Sequence, residues 1–333
     1  MAARIRGSIT RGQVGAWAVS SYRHFSTTLR CNSAYTVPEG VEQWIKNPPE
    51  AKHRDPLSVE RFTDLFISLP TRDGTRKPFE APTAGSPVPY GHHLAFFHAR
   101  RPESLLRADG TDEDISPPSP FTKRMWAGGK IMWNVNNPLL MGKTGLATST
   151  IVSTTKKGFD QGKPMLFITQ RLDFKQEGNG FPSIIEERAH VYFDADVFAK
   201  REKVLNREVK DIPASSDFSF SYTPTPVTLF RYSALMFNAH HIHLDKEYCQ
   251  KVEGYPERVV HGPMTAQMLL EGLLFNEPEV QLKQFEYRAT NPLFVNRELT
   301  VHGKWLDKSN VKLWCTDKES GVVGMTGSAS VAS

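Results

Sequence analysis

The chain has 333 residues, of which 39% are hydrophobic and 23% charged, a composition typical of globular proteins. No apolar run approaches the roughly 18 residues of a transmembrane helix, which argues against a membrane-spanning protein. The formal net charge of +5 arises in residues 1–32, which carry five arginines and no acidic side chain. The other 36 basic residues equal the 36 acidic ones, so charge gives no support for nucleic-acid binding.

Residues 1–32 have the composition of a mitochondrial transit peptide, with arginines, many serines and threonines, and no acid before Glu39. Phe25 stands two positions after Arg23, which predicts processing before Ser26 or about eight residues later. We therefore expect the mature protein in the mitochondrial matrix. A disordered basic tail is the alternative interpretation of the same residues.

The three cysteines, Cys31, Cys249 and Cys315, are far apart in the sequence. They do not form a disulfide framework, and no Cys-x-x-Cys pair is present. The sequence accordingly predicts neither a structural zinc site nor an iron–sulfur cluster. Neither Cys249 nor Cys315 has the context of a catalytic nucleophile.

Residues 38–210 are predicted to form a first domain. Ser58 is a suitable N-cap for a helix over 59–69, whose apolar residues at positions 62, 65, 66 and 69 share one face. Partly alternating, β-rich stretches over 165–174 and 185–193 then predict antiparallel strands.

The Ser-, Thr- and Pro-rich residues 211–226 predict a linker, and residues 227–333 a second domain. Pro263 suits the first turn of a largely apolar helix that extends to Leu274. Strands are expected over 312–316 and 322–331. A buried helix followed by an antiparallel sheet thus occurs twice, which indicates the α+β class.

The residues that most strongly indicate chemistry lie in the second domain. A histidine-rich run precedes a Gly-Pro helix start: Phe237-Asn238-Ala239-His240-His241-Ile242-His243-Leu244-Asp245, then His261-Gly262-Pro263. His243 is the predicted general base, because neutral imidazole can accept a proton and return it near pH 7. Asn238 can hold a water or hydroxyl group through its amide, and Asp245 can orient a histidine.

The step from His261 to Pro263 supplies the other half of the predicted site. Gly262 at a helix start lets a substrate approach the backbone closely. Unpaired amide groups and the positive end of the helix dipole favour negative charge there, such as that of an enolate or thioester oxygen. We therefore predict Gly262, with His261, as oxyanion and substrate-binding residues.

Other interpretations of the histidines stay open. Histidines are often structural, and we interpret His92 and His93 in the first half in this way. His241, His243 and Asp245 could be metal ligands on an extended segment. No remote cluster of Cys, His or carboxylate residues completes such a site, so no metal is expected.

These residues resemble those of the MaoC-like hot-dog hydratases and dehydratases of acyl thioesters. Within that family they are similar to mitochondrial type 2 hydroxyacyl-thioester dehydratases and to bacterial mesaconyl-CoA hydratases. The resemblance covers both halves of the chain. It is carried by residues 124–129, 137–140, 230–235, 237–245, 260–266, 285–289 and 292–294.

The resemblance implies a double hot-dog fold, in which two antiparallel sheets are each wrapped around a central helix. It also implies reversible dehydration of (3R)-3-hydroxyacyl thioesters to trans-2-enoyl thioesters in mitochondrial fatty acid synthesis, without a cofactor. The substrate would be carried by acyl carrier protein or by coenzyme A, and the carrier protein is a candidate partner. A monomer or a homodimer is expected.

The wider family uses an Asp-x-Asn-Pro-Ile/Leu-His motif, whose Asp and His share the catalytic water. Matched here, the histidine is His243, and Asn238 occupies the Asp position. The resemblance also implies that Gly262 donates to the thioester carbonyl. Because Asn238 cannot ionise, His243 acts on the proton alone or with help from Asp245 or His240.

Two rival functions follow from the same residues. A hydratase of a small dicarboxylic or branched enoyl-CoA, of the mesaconyl or itaconyl type, needs basic residues that face the pocket, and Arg231 and Arg124 are candidates. A non-catalytic acyl-thioester-binding protein is the other rival. The Asn at the Asp position, Asn238, is its main argument.

Overall fold

The computed structural model describes residues 35–113, 115–199 and 205–332. The predicted transit peptide over 1–32, with Cys31, lies outside these described residues. None of the described helices is long and apolar enough to cross a lipid bilayer.

Ten strands of the described chain form one continuous antiparallel sheet. In chain order they are β1 Ala51–Asp55, β2 Lys123–Trp133, β3 Gly145–Lys157, β4 Met165–Gln176, β5 Ile184–Phe193, β6 Phe218–Tyr222, β7 Leu282–Ala289, β8 Leu299–Trp305, β9 Asn310–Asp317 and β10 Val323–Val331. Their spatial order is β1-β3-β4-β5-β2-β7-β10-β9-β8-β6. The first five strands and the last five therefore share one internal order, and they meet edge to edge where β2 pairs with β7.

Helices pack on this sheet, and the longest forms the core of the second half. They are α1 Glu39–Lys46, α2 Val59–Phe66, α3 Ala195–Ala199, α4 Pro226–Met236, α5 His241–Leu244, α6 Lys246–Lys251 and α7 Gly262–Asn276. The α7 helix packs on β6, β8, β9 and β10, and Pro263 lies in its first turn as predicted. The α+β class is confirmed.

The first half carries shorter helical segments. The hydroxyl of Ser58 accepts the Arg61 amide at the start of α2, so the predicted cap is confirmed. However, α2 ends at Phe66 and has eight residues, against fifteen in α7. A short 3₁₀ helix at His92–Ala95 contacts α7, and both of its histidines are buried.

The β6 strand lies inside residues 211–226, which we predicted to be a linker. Phe220 and Tyr222 are buried, whereas the two serines between the aromatic residues are not. This alternation is that of an edge strand with one face on the core. Because β6 pairs with β8 along its whole length, this part of the linker prediction is wrong. The two-domain division around it stays a prediction.

A buried polar network fastens α7 to the first half of the chain. The carboxylate of Glu271, 2% exposed, accepts hydrogen bonds from Thr71 Oγ1 at 2.5 Å and Arg72 Nε at 2.9 Å, and lies 2.7 Å from His92 Nε2. Burial alone would raise the pKa of Glu271, but Arg72 and these hydrogen bonds lower it to about 2. This network thus holds α7, whose first residue Gly262 lies beside Trp126 of β2, against the first half of the chain.

Candidate active site

A cavity of about 240 Å³ lies where β2 of the first half faces the start of α7. Its wall is mostly apolar and includes a few polar groups, as is usual for ligand pockets. Those polar residues include Asn238, His240, His243, His261, Arg124 and Arg207. The structure therefore brings most of the predicted site residues to one place.

The turn after α4 places the histidine-rich segment at this cavity. Thr225 and Thr228 form a reciprocal capping box at the start of α4. The helix ends at Met236, and the next residue, Phe237, has a left-handed φ of 53° that turns the chain sharply. The four-residue helix α5 follows and carries His243 into the cavity wall.

The ring of His243 is held in one tautomer by a backbone carbonyl. Its Nδ1 lies 2.7 Å from the carbonyl oxygen of Val259, which can only accept, so Nδ1 carries the hydrogen. This leaves the lone pair on Nε2. Burial lowers the pKa of His243, and with the charge of Arg124 and the opposing bond to Val259 it reaches about 4. At neutral pH the ring is therefore an uncharged base.

The side chain of Asn238 is fixed by its own loop. Its Oδ1 accepts the backbone amide of His240 at 3.1 Å, and its backbone amide donates to the Ser233 carbonyl at 2.9 Å. With Oδ1 engaged, the amide Nδ2 is the group that can donate to a water or hydroxyl in the cavity. Asn238 can thus orient a reactant, but it cannot exchange a proton with one.

The ring of His261 packs against the ring of His243. His261 is fully buried, its Nε2 lies 2.9 Å from Ser233 Oγ, and its ring stacks on that of His243 with centroids 3.6 Å apart. Burial, together with the neighbouring His243 and His240, brings the pKa of His261 well below its ordinary value. His261 therefore lines the cavity as a neutral ring.

Gly262 opens α7 directly beside this pair. The first amides of a helix lack intrahelical acceptors, and the helix dipole adds partial positive charge at the same point. A Cβ at position 262 would lie 3.3 Å from Cγ of Trp126 on β2, so the glycine keeps the indole close to the backbone. A thioester oxygen could reach the α7 amides along this surface.

Trp126 is itself held by a buried ion pair of the first half. The guanidinium carbon of Arg188 lies 5.2 Å from the Trp126 ring, and His190 packs edge-on at 5.3 Å. Glu186, fully buried, accepts from Arg188 at 2.7 and 2.9 Å. The β5 strand therefore supports Trp126 of β2, which forms the wall opposite Gly262.

Comparison with known proteins gives the family. The model of hydroxyacyl-thioester dehydratase type 2 matches residues 91–295, more than half of the chain. The chain belongs to that family. Since curated relatives are named dehydratases and hydratases, the chain is an enzyme of the hydro-lyase class.

Two relatives span most of its length. Mesaconyl-C(4)-CoA hydratase of Chloroflexus aurantiacus is 36% identical over 221 residues, covering 65% of this chain and 75% of the relative. The mitochondrial hydroxyacyl-thioester dehydratase type 2 of Schizosaccharomyces pombe is 30% identical over 250 residues, which cover 67% of this chain and 81% of the relative. The family resemblance drawn from the sequence is confirmed.

Solved MaoC-like structures confirm the hot-dog fold, but the two separate sheets that we predicted are joined into one ten-stranded sheet, because β2 pairs with β7. A MaoC-like dehydratase from Phytophthora capsici superposes with a TM-score of 0.62 at 14% identity, covering 87% of this chain and 98% of that one. A peroxisomal multifunctional enzyme type 2 from Drosophila melanogaster superposes with a TM-score of 0.59 at 12% identity. The match covers 87% of this chain and 50% of that one. At these identities the likeness concerns the fold alone.

Two predicted residues take other positions. Asp245 is exposed and accepts the Tyr248 amide at 3.0 Å as the N-cap of α6, so it does not orient His243. Its short side chain is used locally, and the Val259 carbonyl holds the histidine instead. Arg231 is exposed on α4 and does not line the cavity.

The other histidines of the run differ in their surroundings. His241 donates its amide to the Asp109 carbonyl and packs on Tyr248 outside the cavity wall. His240 lines the cavity and packs edge-on against His243, with centroids 5.5 Å apart. Burial, assisted by His243 and Arg124, lowers the pKa of His240 well below its usual value. Among the described residues, no three His, Cys, Asp or Glu side chains form a metal-binding group.

Sequence reasoning missed several contributors to the site. The carbonyl of Val259 leaves no trace in a residue pattern, because every residue has one. The turn at Gly110 packs so closely on Ala239 that an added Cβ would lie 2.1 Å from its oxygen. Gly128, which follows Trp126 at a β-bulge, was a usable signal, since bulges often re-aim a side chain near a site.

Proposed function

We propose that the protein reversibly dehydrates (3R)-3-hydroxyacyl thioesters to trans-2-enoyl thioesters, with His243 as the acid–base residue. One observation carries the proposal. The free Nε2 of His243 belongs to a neutral ring in the wall of a largely apolar cavity that also contains the N-terminus of α7. A base and a set of amide donors thus serve one substrate.

The reaction begins with removal of the α-proton. Nε2 of His243 takes that proton, and negative charge develops on the thioester oxygen. The amide of Gly262 and the α7 dipole stabilise this charge, an effect worth about 3–4 kcal/mol for one preorganised donor.

The β-hydroxyl then leaves, and it needs a proton. The imidazolium of His243 returns the proton to the departing oxygen, which becomes water, as the α–β double bond forms. Because burial disfavours the charged ring, this transfer is downhill for His243. The Asn238 amide donates to the same oxygen and holds it in place.

We further propose that this reaction serves mitochondrial fatty acid synthesis, with the acyl group on acyl carrier protein. The fission yeast relative is named as a mitochondrial protein, and residues 1–32 have a transit-peptide composition. Mitochondrial targeting is tested by fusing residues 1–45 to a fluorescent protein. The control is the same fusion with the five arginines changed to glutamine. Cytosolic fluorescence of the unmodified fusion would contradict it.

The catalytic proposal is tested with purified protein that lacks residues 1–32. Straight-chain 2-enoyl thioesters on coenzyme A and on acyl carrier protein are offered, and loss of the enoyl absorbance is followed. We expect hydration, and faster hydration of the carrier-protein thioester. Tight binding of every thioester with no turnover would instead indicate a non-catalytic binding protein.

A second candidate is a hydratase of a small dicarboxylic enoyl-CoA. Arg124 lines the cavity, as that function needs, and a relative at 36% identity is named a mesaconyl-C(4)-CoA hydratase. A mesaconyl thioester in the same substrate panel separates the two candidates.

A further inference from the structure

Two arginines from separate parts of the chain line the catalytic cavity. Arg124 belongs to β2, and Arg207 follows α3. Both are solvent-exposed, so their wall lies at the mouth of the cavity. Neither forms an ion pair within the described residues.

Arg207 is anchored by a buried amide. Asn291, 8% exposed, accepts the Arg207 amide through Oδ1 at 2.7 Å. Its Nδ2 donates to the carbonyl of Arg207 at 2.9 Å and to that of Val323 at 2.8 Å. A buried side chain thus uses its hydrogen bonds to hold one exposed backbone segment, 84 positions earlier in the sequence, against the cavity.

Arg124 is placed by the register of β2. It stands two residues before Trp126, so both side chains leave the same face of the strand about 7 Å apart. Since Trp126 packs on Gly262, Arg124 lies near the proposed thioester oxygen. Its charge also lowers the pKa of His243, which agrees with this position.

Among the described lining residues, one side chain is acidic. It is Glu253, whose Oε1 already accepts from Lys123 Nζ at 2.9 Å and Tyr248 Oη at 3.0 Å. Within the described part of the chain, Arg124 and Arg207 are therefore left without a counter-charge at the substrate entrance. Guanidinium groups bind carboxylates and phosphates through paired N–H donors.

We propose that Arg124 and Arg207 form a subsite for an anionic group of the substrate, positioned by Asn291. The proposal rests on the proposed function, because it assigns part of the same substrate. Two groups have the required chemistry: a carboxylate on the acyl chain, and a phosphate on the pantetheine arm of the carrier.

Four thioesters separate these two sources. The crotonyl group ends in a methyl group, whereas the fumaryl group ends in a carboxylate. Each acyl group is attached both to coenzyme A and to N-acetylcysteamine, which has no phosphate. The kcat/KM of Arg207→Gln and Arg124→Gln is compared with that of the wild type on all four. Arg231→Gln is the matched control, since Arg231 is an exposed arginine outside the cavity.

We expect losses that are roughly tenfold larger for anionic substrates than for crotonyl-N-acetylcysteamine, the usual scale of one charge-assisted hydrogen bond. A loss that follows the fumaryl group assigns a carboxylate, and one that follows coenzyme A assigns a phosphate. Asn291→Leu should reproduce the selectivity of Arg207→Gln, with the melting temperature as the folding control. Equal losses on all four substrates would overturn the subsite.

Binding of the anionic group at the subsite can also be measured independently of turnover. Calorimetry with the unreactive saturated analogues, butyryl and succinyl thioesters on both carriers, measures binding alone. Selective weakening by Arg207→Gln supports the subsite even if the wild type hydrates none of the four enoyl thioesters. That absence of turnover would instead count against the proposed reaction.

Discussion

The rings of His243 and His261 stack with centroids 3.6 Å apart and planes inclined by 21°. Two imidazoles at this distance resist a second charge, and burial disfavours even the first. Near neutral pH His243 is therefore uncharged until a substrate supplies a proton, and it returns that proton readily. The stacking means that His261 positions the ring of the base, while its own Nε2 is engaged by Ser233.

Replacing His243 tests the base directly. We expect His243→Ala to lower kcat by about 100-fold or more, the scale of general acid–base catalysis. His241→Ala is the matched control, because His241 lies on the same short helix but outside the cavity wall. Steady-state hydration of a crotonyl thioester measures both, and near-normal turnover of His243→Ala would remove it from the mechanism.

Asn238 is predicted to act as a donor. Asn238→Asp keeps an oxygen for the His240 amide but loses the N–H₂ group, whereas Asn238→Ala loses both. If the donor matters, both variants lose kcat to a similar extent, about tenfold or more. Full activity of Asn238→Asp would show that an ionisable residue serves equally well here.

The pH dependence follows from the uncharged state of His243. Its pKa of about 4 lies below the usual value, so kcat/KM should stay level near neutrality and fall as the pH drops towards 4. Arg124→Gln removes a positive charge that opposes protonation, so the acidic limb should move to higher pH. Unshifted limbs in a comparison of wild type, Arg124→Gln and the control Arg231→Gln would contradict this electrostatic coupling.

A side chain at position 262 is predicted to disturb the start of α7. In Gly262→Ala the new Cβ meets Trp126 at 3.3–3.4 Å, which displaces the indole or the first turn of α7. The variant keeps the backbone amide but shifts it, so we expect kcat to fall by up to about 100-fold, the scale for losing one oxyanion donor. Gly40→Ala is the control, since nothing lies within 4 Å of its Cβ position. Partial rescue of Gly262→Ala by Trp126→Ala, which removes the Cγ and Cδ1 atoms that the new methyl group meets, would identify the contact as the cause.

Glu271 is predicted to matter for stability. Glu271→Gln breaks a buried network with Arg72 and His92, which typically costs about 3–5 kcal/mol. The pKa of Glu271 is lowered from 4.5 to about 2, so its contribution is complete above pH 4.5 and declines as the pH falls towards 2. Denaturant unfolding at pH 7 and pH 3, with the exposed Glu247→Gln as control, measures this; a pH-independent difference would contradict it.

The local sequence determined the elements that depend on near neighbours. Ser58 and Pro263 mark helix starts, alternating residues predict β4 and β5, and the apolar run after Pro263 predicts a buried helix. The histidine-rich run and the Gly-Pro step identified the cavity residues His243, Asn238 and Gly262, because acid–base chemistry and oxyanion binding need particular side chains.

Only the tertiary structure decided how those residues are used. The carbonyl that holds His243 comes from Val259, 16 positions away, while Asp245 turns to its own helix. Trp126 reaches Gly262 through the pairing of the two sheet halves, and Asn291 positions Arg207 across 84 residues. Such contacts join groups that are distant in the chain, and backbone carbonyls carry no sequence signal, so a residue pattern cannot encode them.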